Sequence, residues 1–126
     1  MAGLLLDTHV VLWWLDDPQQ IAPKAREAIA DGLNDVFVSA ASAWEVAIKA
    51  ALGKLQAPDD LEAALAEAGF TTLPITVRHA LGVRELPDVH QDPFDRILVA
   101  QARIEGLTLV TRDPRLGQYG VTVLAA

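Results

Sequence analysis

Four carboxylates stand where apolar runs give way to helical spacing. Asp7 follows Leu4–Leu6 and is itself followed by Thr8 and His9. Glu45 lies in the segment that Ser39 opens after Val36–Val38. Asp95 sits in Asp92-Pro-Phe-Asp95, and Asp113 comes after Leu107–Thr111 and Arg112. In an open α/β sheet, ligands bind beyond the carboxyl ends of the strands, where the strand order reverses. Acids that follow successive parallel strands load that crevice with negative charge. Like charges a few ångströms apart raise one another's pKa, and a divalent cation relieves the conflict. With no cysteine and little histidine in the chain, oxygen ligands select Mg²⁺ or Mn²⁺ over zinc. A hard cation beside a phosphate-sized crevice points to phosphodiester chemistry. It lowers the pKa of an attacking water and holds a non-bridging oxygen, and a second metal can stabilise the leaving oxygen.

Each acid also has a structural use. Asp7 can cap the first helix, and Glu45 can complete a Ser42-x-x-Glu45 capping box or pair with Lys49. Asp92 can cap the helix whose dipole Asp95 complements, and Asp113 before Pro114 suits the start of a short final turn. The joint placement, rather than any one acid, carries the functional reading. Thr8, Ser39 and Thr111 are caps, or groups that orient carboxylates or waters. Arg96 directly follows one candidate acid and Arg112 directly precedes another, and we assign them to phosphate in preference to structural ion pairs. His9 and His90 are left out of the site as packed or hydrogen-bonded side chains.

The elements that must position these groups alternate along the chain. Leu4–Leu6, Val36–Val38, Thr71–Ile75, Leu107–Thr111 and Val121–Leu124 read as strands. Helices are expected over Val10–Leu15 (ended by Pro18), Ala22–Ala30, Ser39 to Leu52, Asp59–Ala68, Thr76–Leu86, and Asp92 to Glu105 before Gly106. Continuous apolar strands separated by helices imply burial on both faces, hence an α/β three-layer α/β/α sandwich around a parallel sheet. The start of the Asp92 helix is expected at the opposite edge of that sheet, so spacing alone does not bring Asp92 and Asp95 to the crevice. Trp13 and Trp14 lie about 100° apart on a helix, which predicts one buried and one at an interface. Phe37 and Phe70 read as core.

A chain of 126 residues is one domain, 1–126. Its 52% hydrophobic content excludes intrinsic disorder. The absence of cysteine excludes a disulfide scaffold, a Cys-ligated zinc, an iron–sulfur cluster and a thiol nucleophile. A net charge of −7 excludes bulk electrostatic grip on nucleic acid. A local basic rim or bound cations would have to offset that field, and a cationic protein partner is equally natural. The N-terminus reads as neither signal nor transit peptide, and the longest apolar stretch, Val10–Leu15, is far too short to span a membrane. A soluble cytoplasmic protein is expected.

The strings LLLDTHVVLWWL, SAASAWEVAIK, HQDPFDRILVAQA and LTLVTRD, in this order and spacing, closely resemble PIN-domain proteins. The nearest likeness is the VapC toxins of bacterial toxin–antitoxin pairs, and it covers essentially the whole chain. The resemblance implies a Mg²⁺- or Mn²⁺-dependent endoribonuclease. Asp7 and Asp95 would be its main metal ligands, with Glu45 and Asp113 completing the site directly or through water. It also implies that Asp95 reaches the crevice, that Asp92 caps the helix behind it, and that a VapB-type antitoxin covers the site. A homodimer is expected too. Lys49, Lys54, Arg96, Arg112 and Arg115 would guide RNA inward. Two rivals are a phosphotransfer or phosphatase enzyme with Asp7 as nucleophile, and a non-catalytic module whose acidic pocket binds a basic peptide or cation. The first wants a second acid two residues after Asp7, where His9 stands.

Overall fold

A computed structural model describes residues 2–126. Its centre is β1 (Gly3–Leu6), whose Leu4, Leu5 and Leu6 are all buried. β1 pairs in parallel with β2 (Asp35–Ser39) on one side and β4 (Thr108–Thr111) on the other. β3 (Thr71–Leu73) extends the sheet beyond β2, and β5 (Val123–Ala125) extends it beyond β4, giving the order β3-β2-β1-β4-β5. The expected α/β sandwich is borne out. Successive side chains leave opposite faces of a strand. Leu4 and Leu6 therefore enter a core with Val10 and Val11 of α1 (Thr8–Asp16), Ala25 and Ile29 of α2 (Pro23–Ala30) and Leu65 of α4 (Leu61–Glu67). Leu5 enters the other core with Ala41 of α3 (Ala40–Ala51) and Leu98, Val99 and Ala102 of α6 (Pro93–Glu105). Each such leucine stabilises the sheet by about 2–3 kcal/mol relative to exposure.

Local chemistry explains most boundaries. α1 begins before the apolar run Val10–Leu15, because the Asp7 carboxylate accepts from the Val10 amide at 3.0 Å and caps it. Ser39 caps α3 by accepting from the Ala41 amide, so Ser42 lies inside the helix and no Ser42–Glu45 capping box forms. β3 stops before Pro74, which cannot donate to the ladder. The single helix expected over Thr76–Leu86 divides into α5 (Val77–Gly82) and a 3₁₀ turn, Val83–Glu85. α6 ends at Gly106, whose φ of 69° is left-handed.

The chain fills the sheet outward from β1 through β2 to β3, then returns through α6 to β4. The strand order thus reverses between β1 and β4. The expectation that α6 starts at the far edge is corrected. α6 feeds β4 through the tight turn at Gly106 and runs antiparallel to the strands. Its first turn therefore lies at their carboxyl ends, the same edge as Asp7. The parallel connectivity suffices to bring Asp92 and Asp95 there.

Candidate active site

At this edge Asp7, His9, Trp13, His90, Asp92, Asp95, Arg112, Asp113 and Arg115 line a crevice of about 270 Å³. Asp7 follows the central strand, where its backbone amide donates to the Val110 carbonyl at 3.0 Å. The Thr111 hydroxyl donates to Asp7 Oδ2 at 2.5 Å and accepts from the Asp113 amide at 3.1 Å. One hydroxyl thereby sets two of the acids. Thr8 does similar work from the other side, its hydroxyl donating to Glu45 Oε1 at 2.6 Å. Ser39 remains a helix cap.

Glu45 is buried, and its second oxygen accepts from Lys49 Nζ at 2.5 Å. The carboxylate therefore stands behind Thr8 rather than on the crevice wall. Its charge still reaches the other acids, adding to the upward pressure on the Asp7 and Asp95 pKa values. Asp92 caps α6, accepting from the Phe94 amide at 2.8 Å and the Asp95 amide at 3.3 Å, as expected.

Electrostatics divides the acids into two kinds. Burial pushes the Asp7 carboxyl above its ordinary value, against the Thr111 hydroxyl and Val10 amide that favour the charged form. Burial, reinforced by the charge of Asp92 and then of Asp7 and Glu45, lifts Asp95 from 3.8 to about 6. Asp113 goes the other way, to about 2, because the Arg115 guanidinium binds it through Nε at 3.0 Å and Nη2 at 2.8 Å. A cluster whose inner acids resist ionisation is short of positive charge.

His90 was missed by sequence reasoning. Its ring is buried, with Nε2 3.1 Å from Asp113 Oδ2 and 3.3 Å from Asp95 Oδ2. Ligand atoms of His90, Asp95 and Asp113 lie within 4.8 Å of one another. The available signal was its place two residues before the α6 cap, in a segment that must close over the crevice.

The two arginines read as phosphate ligands are corrected. Arg96 turns away from the crevice: Nη1 donates to the carbonyls of Pro87 and His90, and Nη2 to those of Val83 and Leu86. It fastens the irregular segment before α6. Arg112 lies over the Trp13 ring, 4.0 Å from its centroid, and donates to main-chain oxygens of Gln20 and Ala126. It remains on the crevice wall but is already engaged. The division expected for the tryptophans is also corrected, because both are half-buried. Trp14 packs on Phe70, and Trp13 is covered by His9 and Arg112. Phe70 is buried and Phe37 packs partly buried against the α3–α6 core.

The PIN-domain family model matches residues 4–121. The chain belongs to the PIN-domain family, and within it to the VapC type. It is 34% identical over 122 residues to Ribonuclease VapC22 of Mycobacterium tuberculosis, spanning 94% of this chain and 93% of that protein. Among solved structures, it resembles a chain of the Rickettsia felis VapBC2 complex bound to a promoter DNA fragment (TM-score 0.73, 14% identity, 98% of both chains). A chain of DNA-bound VapBC from Salmonella typhimurium gives a TM-score of 0.69 at 16% identity, over 99% of this chain and 98% of that one. FitAcB of Neisseria gonorrhoeae gives 0.63 at 24%, over 96% of each chain. At these identities the likeness establishes the fold of this PIN domain. No helix among its described residues is long and apolar enough to cross a membrane.

Proposed function

We propose that this PIN domain is a Mg²⁺- or Mn²⁺-dependent endoribonuclease, the cytoplasmic toxin of a toxin–antitoxin pair. The observation that carries the reading is the meeting of Asp7, Asp95 and Asp113 in one crevice where the strand order reverses. The relationship to a protein named a ribonuclease supports it.

The residues fit a hard cation. Asp7, Asp95 and Asp113 offer carboxylate oxygens, and each such oxygen can accept a further partner beyond those it has. Upward-shifted pKa values at Asp7 and Asp95 mark a place where added positive charge is stabilising. Asp7 and Asp95 would be the main ligands. Asp113 would ligate directly, and Glu45 through water, since Thr8 and Lys49 already occupy its oxygens. When bound, the cation supplies Lewis-acid chemistry, making water more acidic and drawing charge from a phosphate oxygen. The chain's own contribution is placement. Thr111 aligns Asp7 with the Asp113 backbone, Thr8 holds Glu45 behind them, and Asp92 fixes the first turn of α6 beneath Asp95.

Arg115, exposed on the crevice wall, is the cation best placed to receive RNA phosphate, with Lys49 paired to Glu45 and Arg112 steadying Trp13. The net charge of −7 favours a cationic antitoxin segment over this crevice, and the VapBC assemblies of similar fold support such a partner. Exposed Trp44 and Ile48 of α3 and Leu52 at its C-cap, about one turn apart, offer an apolar stripe for the expected homodimer. Nothing favours the aspartyl-phosphate rival, because position 9, where a second acid is wanted, is a histidine tilted against Trp13.

The test is incubation of total RNA with purified protein, with Mg²⁺ or with chelator, and mapping of the new ends. The proposal expects cleavage only with the cation and none by Asp7→Asn. Cleavage undiminished by chelator or by Asp7→Asn would refute it.

A further inference from the structure

The ring of His90 is held at both nitrogens. Nδ1 accepts from the Asp92 backbone amide at 3.0 Å, so it carries no hydrogen of its own. In the neutral imidazole the proton then sits on Nε2. That N–H donates to Asp113 Oδ2 at 3.1 Å, and Asp95 Oδ2 lies 3.3 Å from the same nitrogen. Arg115 Nη2 also lies 2.9 Å from Nε2, but it has a carboxylate acceptor, Asp113 Oδ2, at 2.8 Å. The guanidinium is on an exposed side chain whose Nη2 already has that carboxylate as acceptor, whereas the Asp92 amide is fixed at the cap of α6. The amide therefore decides the tautomer.

The backbone around the ring is equally constrained. The His90 amide donates to the Tyr119 hydroxyl at 2.7 Å, and the His90 carbonyl accepts from Arg96 Nη1 at 3.3 Å. Arg96 also holds the Pro87 and Leu86 carbonyls that lead into this position. The ring has little room to rotate, and the cap of α6 stands two residues later. Asp95 on α6 and Asp113 beyond β4 come from different elements, and among the described residues His90 Nε2 is the one basic nitrogen paired with both carboxylates, within 3.3 Å of each.

We infer that His90 is a positioning residue for the cation site, not a ligand: its Nε2–H gathers one oxygen each of Asp95 and Asp113 toward a common point. This rests on the proposed cation-dependent reading of the crevice. It differs from the apparent alternative, a His–Asp–Asp metal cluster. Ligation through Nε2 would require the proton to move to Nδ1, where the Asp92 amide would then face another donor.

The experiment uses the full-length protein and Mn²⁺ alone. Pulsed electron paramagnetic resonance reads directly bound nitrogen through its hyperfine coupling, and titration of the free-ion signal gives the dissociation constant. The inference expects no coupling from a coordinated imidazole in the wild-type protein. It expects Mn²⁺ affinity to fall by about 10–100-fold in His90→Leu, the range for groups that orient ligands. His90→Gln, which restores an N–H donor on a side chain of suitable reach, should recover most of that loss. A coordinated-nitrogen signal, or His90→Leu binding Mn²⁺ as wild type does, would overturn the inference. If His90→Leu does not fold, the wild-type spectrum and the Gln variant decide, with weakened binding by the folded Gln variant counting against. RNA cleavage on the same preparations separates the two claims. A protein that binds Mn²⁺ as described but leaves RNA intact upholds the role of His90 and refutes the nuclease.

Discussion

Asp95→Asn should make the cation-free protein more stable at neutral pH. The Asp95 carboxyl is lifted from 3.8 to about 6, first by burial and then by Asp92, Asp7 and Glu45. A carboxyl whose pKa is higher folded than unfolded holds its proton more tightly in the native state. Its stabilising contribution is whole below about pH 3.8 and is lost as pH rises to about 6. At pH 7 the charge opposes folding by about 3 kcal/mol on that difference. Contact of the side chain with solvent, and the positive end of α6 beside it, reduce this to about 2 kcal/mol. The neutral amide keeps an acceptor for His90 and removes the charge. For a domain of this size, the gain corresponds to a melting temperature about 7 °C higher. Circular dichroism melts in chelator at pH 7 and pH 4 provide the assay. At pH 4 the native carboxyl is already protonated, and the gain should shrink below about 1 kcal/mol. A variant that melts no higher than wild type at pH 7, or that gains equally at both pH values, would refute the charge-crowding account.

Other perturbations separate structural roles from chemical ones. Arg96→Ala should lose about 1–2 kcal/mol, because part-buried carbonyls before α6 lose their charged donor. A phosphate ligand would instead leave the melting temperature unchanged and raise KM for RNA. Thr8→Val leaves Glu45 Oε1 buried without its hydroxyl donor and should cost about 1–2 kcal/mol in thermal or urea denaturation. Arg115→Ala removes the donors that hold Asp113 near 2. Carbon-detected NMR titration should then place that carboxyl back in the ordinary aspartate range; an unmoved value would show another cause.

The sheet was legible because its strands are short, apolar and separated by capped helices. Asp7, Ser39 and Asp92 act as the caps their positions suggested, and each cap also marks the carboxyl edge of a strand or the first turn of α6. The side on which α6 begins was misread, although connectivity alone settles it: a helix that feeds a parallel strand must start at the strands' carboxyl ends. Finer boundaries depended on turn chemistry, as at Pro74 and in the division of Thr76–Leu86. What the sequence could not convey was which long side chains are already occupied. Arg96 follows Asp95 in the chain, yet its guanidinium is taken by four carbonyls facing away from the crevice. Glu45 has the right helix and the right face, but Thr8 and Lys49 already hold its two oxygens. His90 looks unremarkable by type and spacing. Only the fold brings Asp113, twenty-three residues on, against its ring.

The central claim is that these acids form one cation site, and melting with and without Mg²⁺ or Mn²⁺ tests it most directly. At a hundredfold excess over the dissociation constant, binding to the native state adds about 2.7 kcal/mol. The wild-type melting temperature should then rise by about 10 °C, while Asp7→Asn and Asp95→Asn should respond little. A wild-type protein indifferent to millimolar cation, or one whose response is matched by both variants, would contradict it.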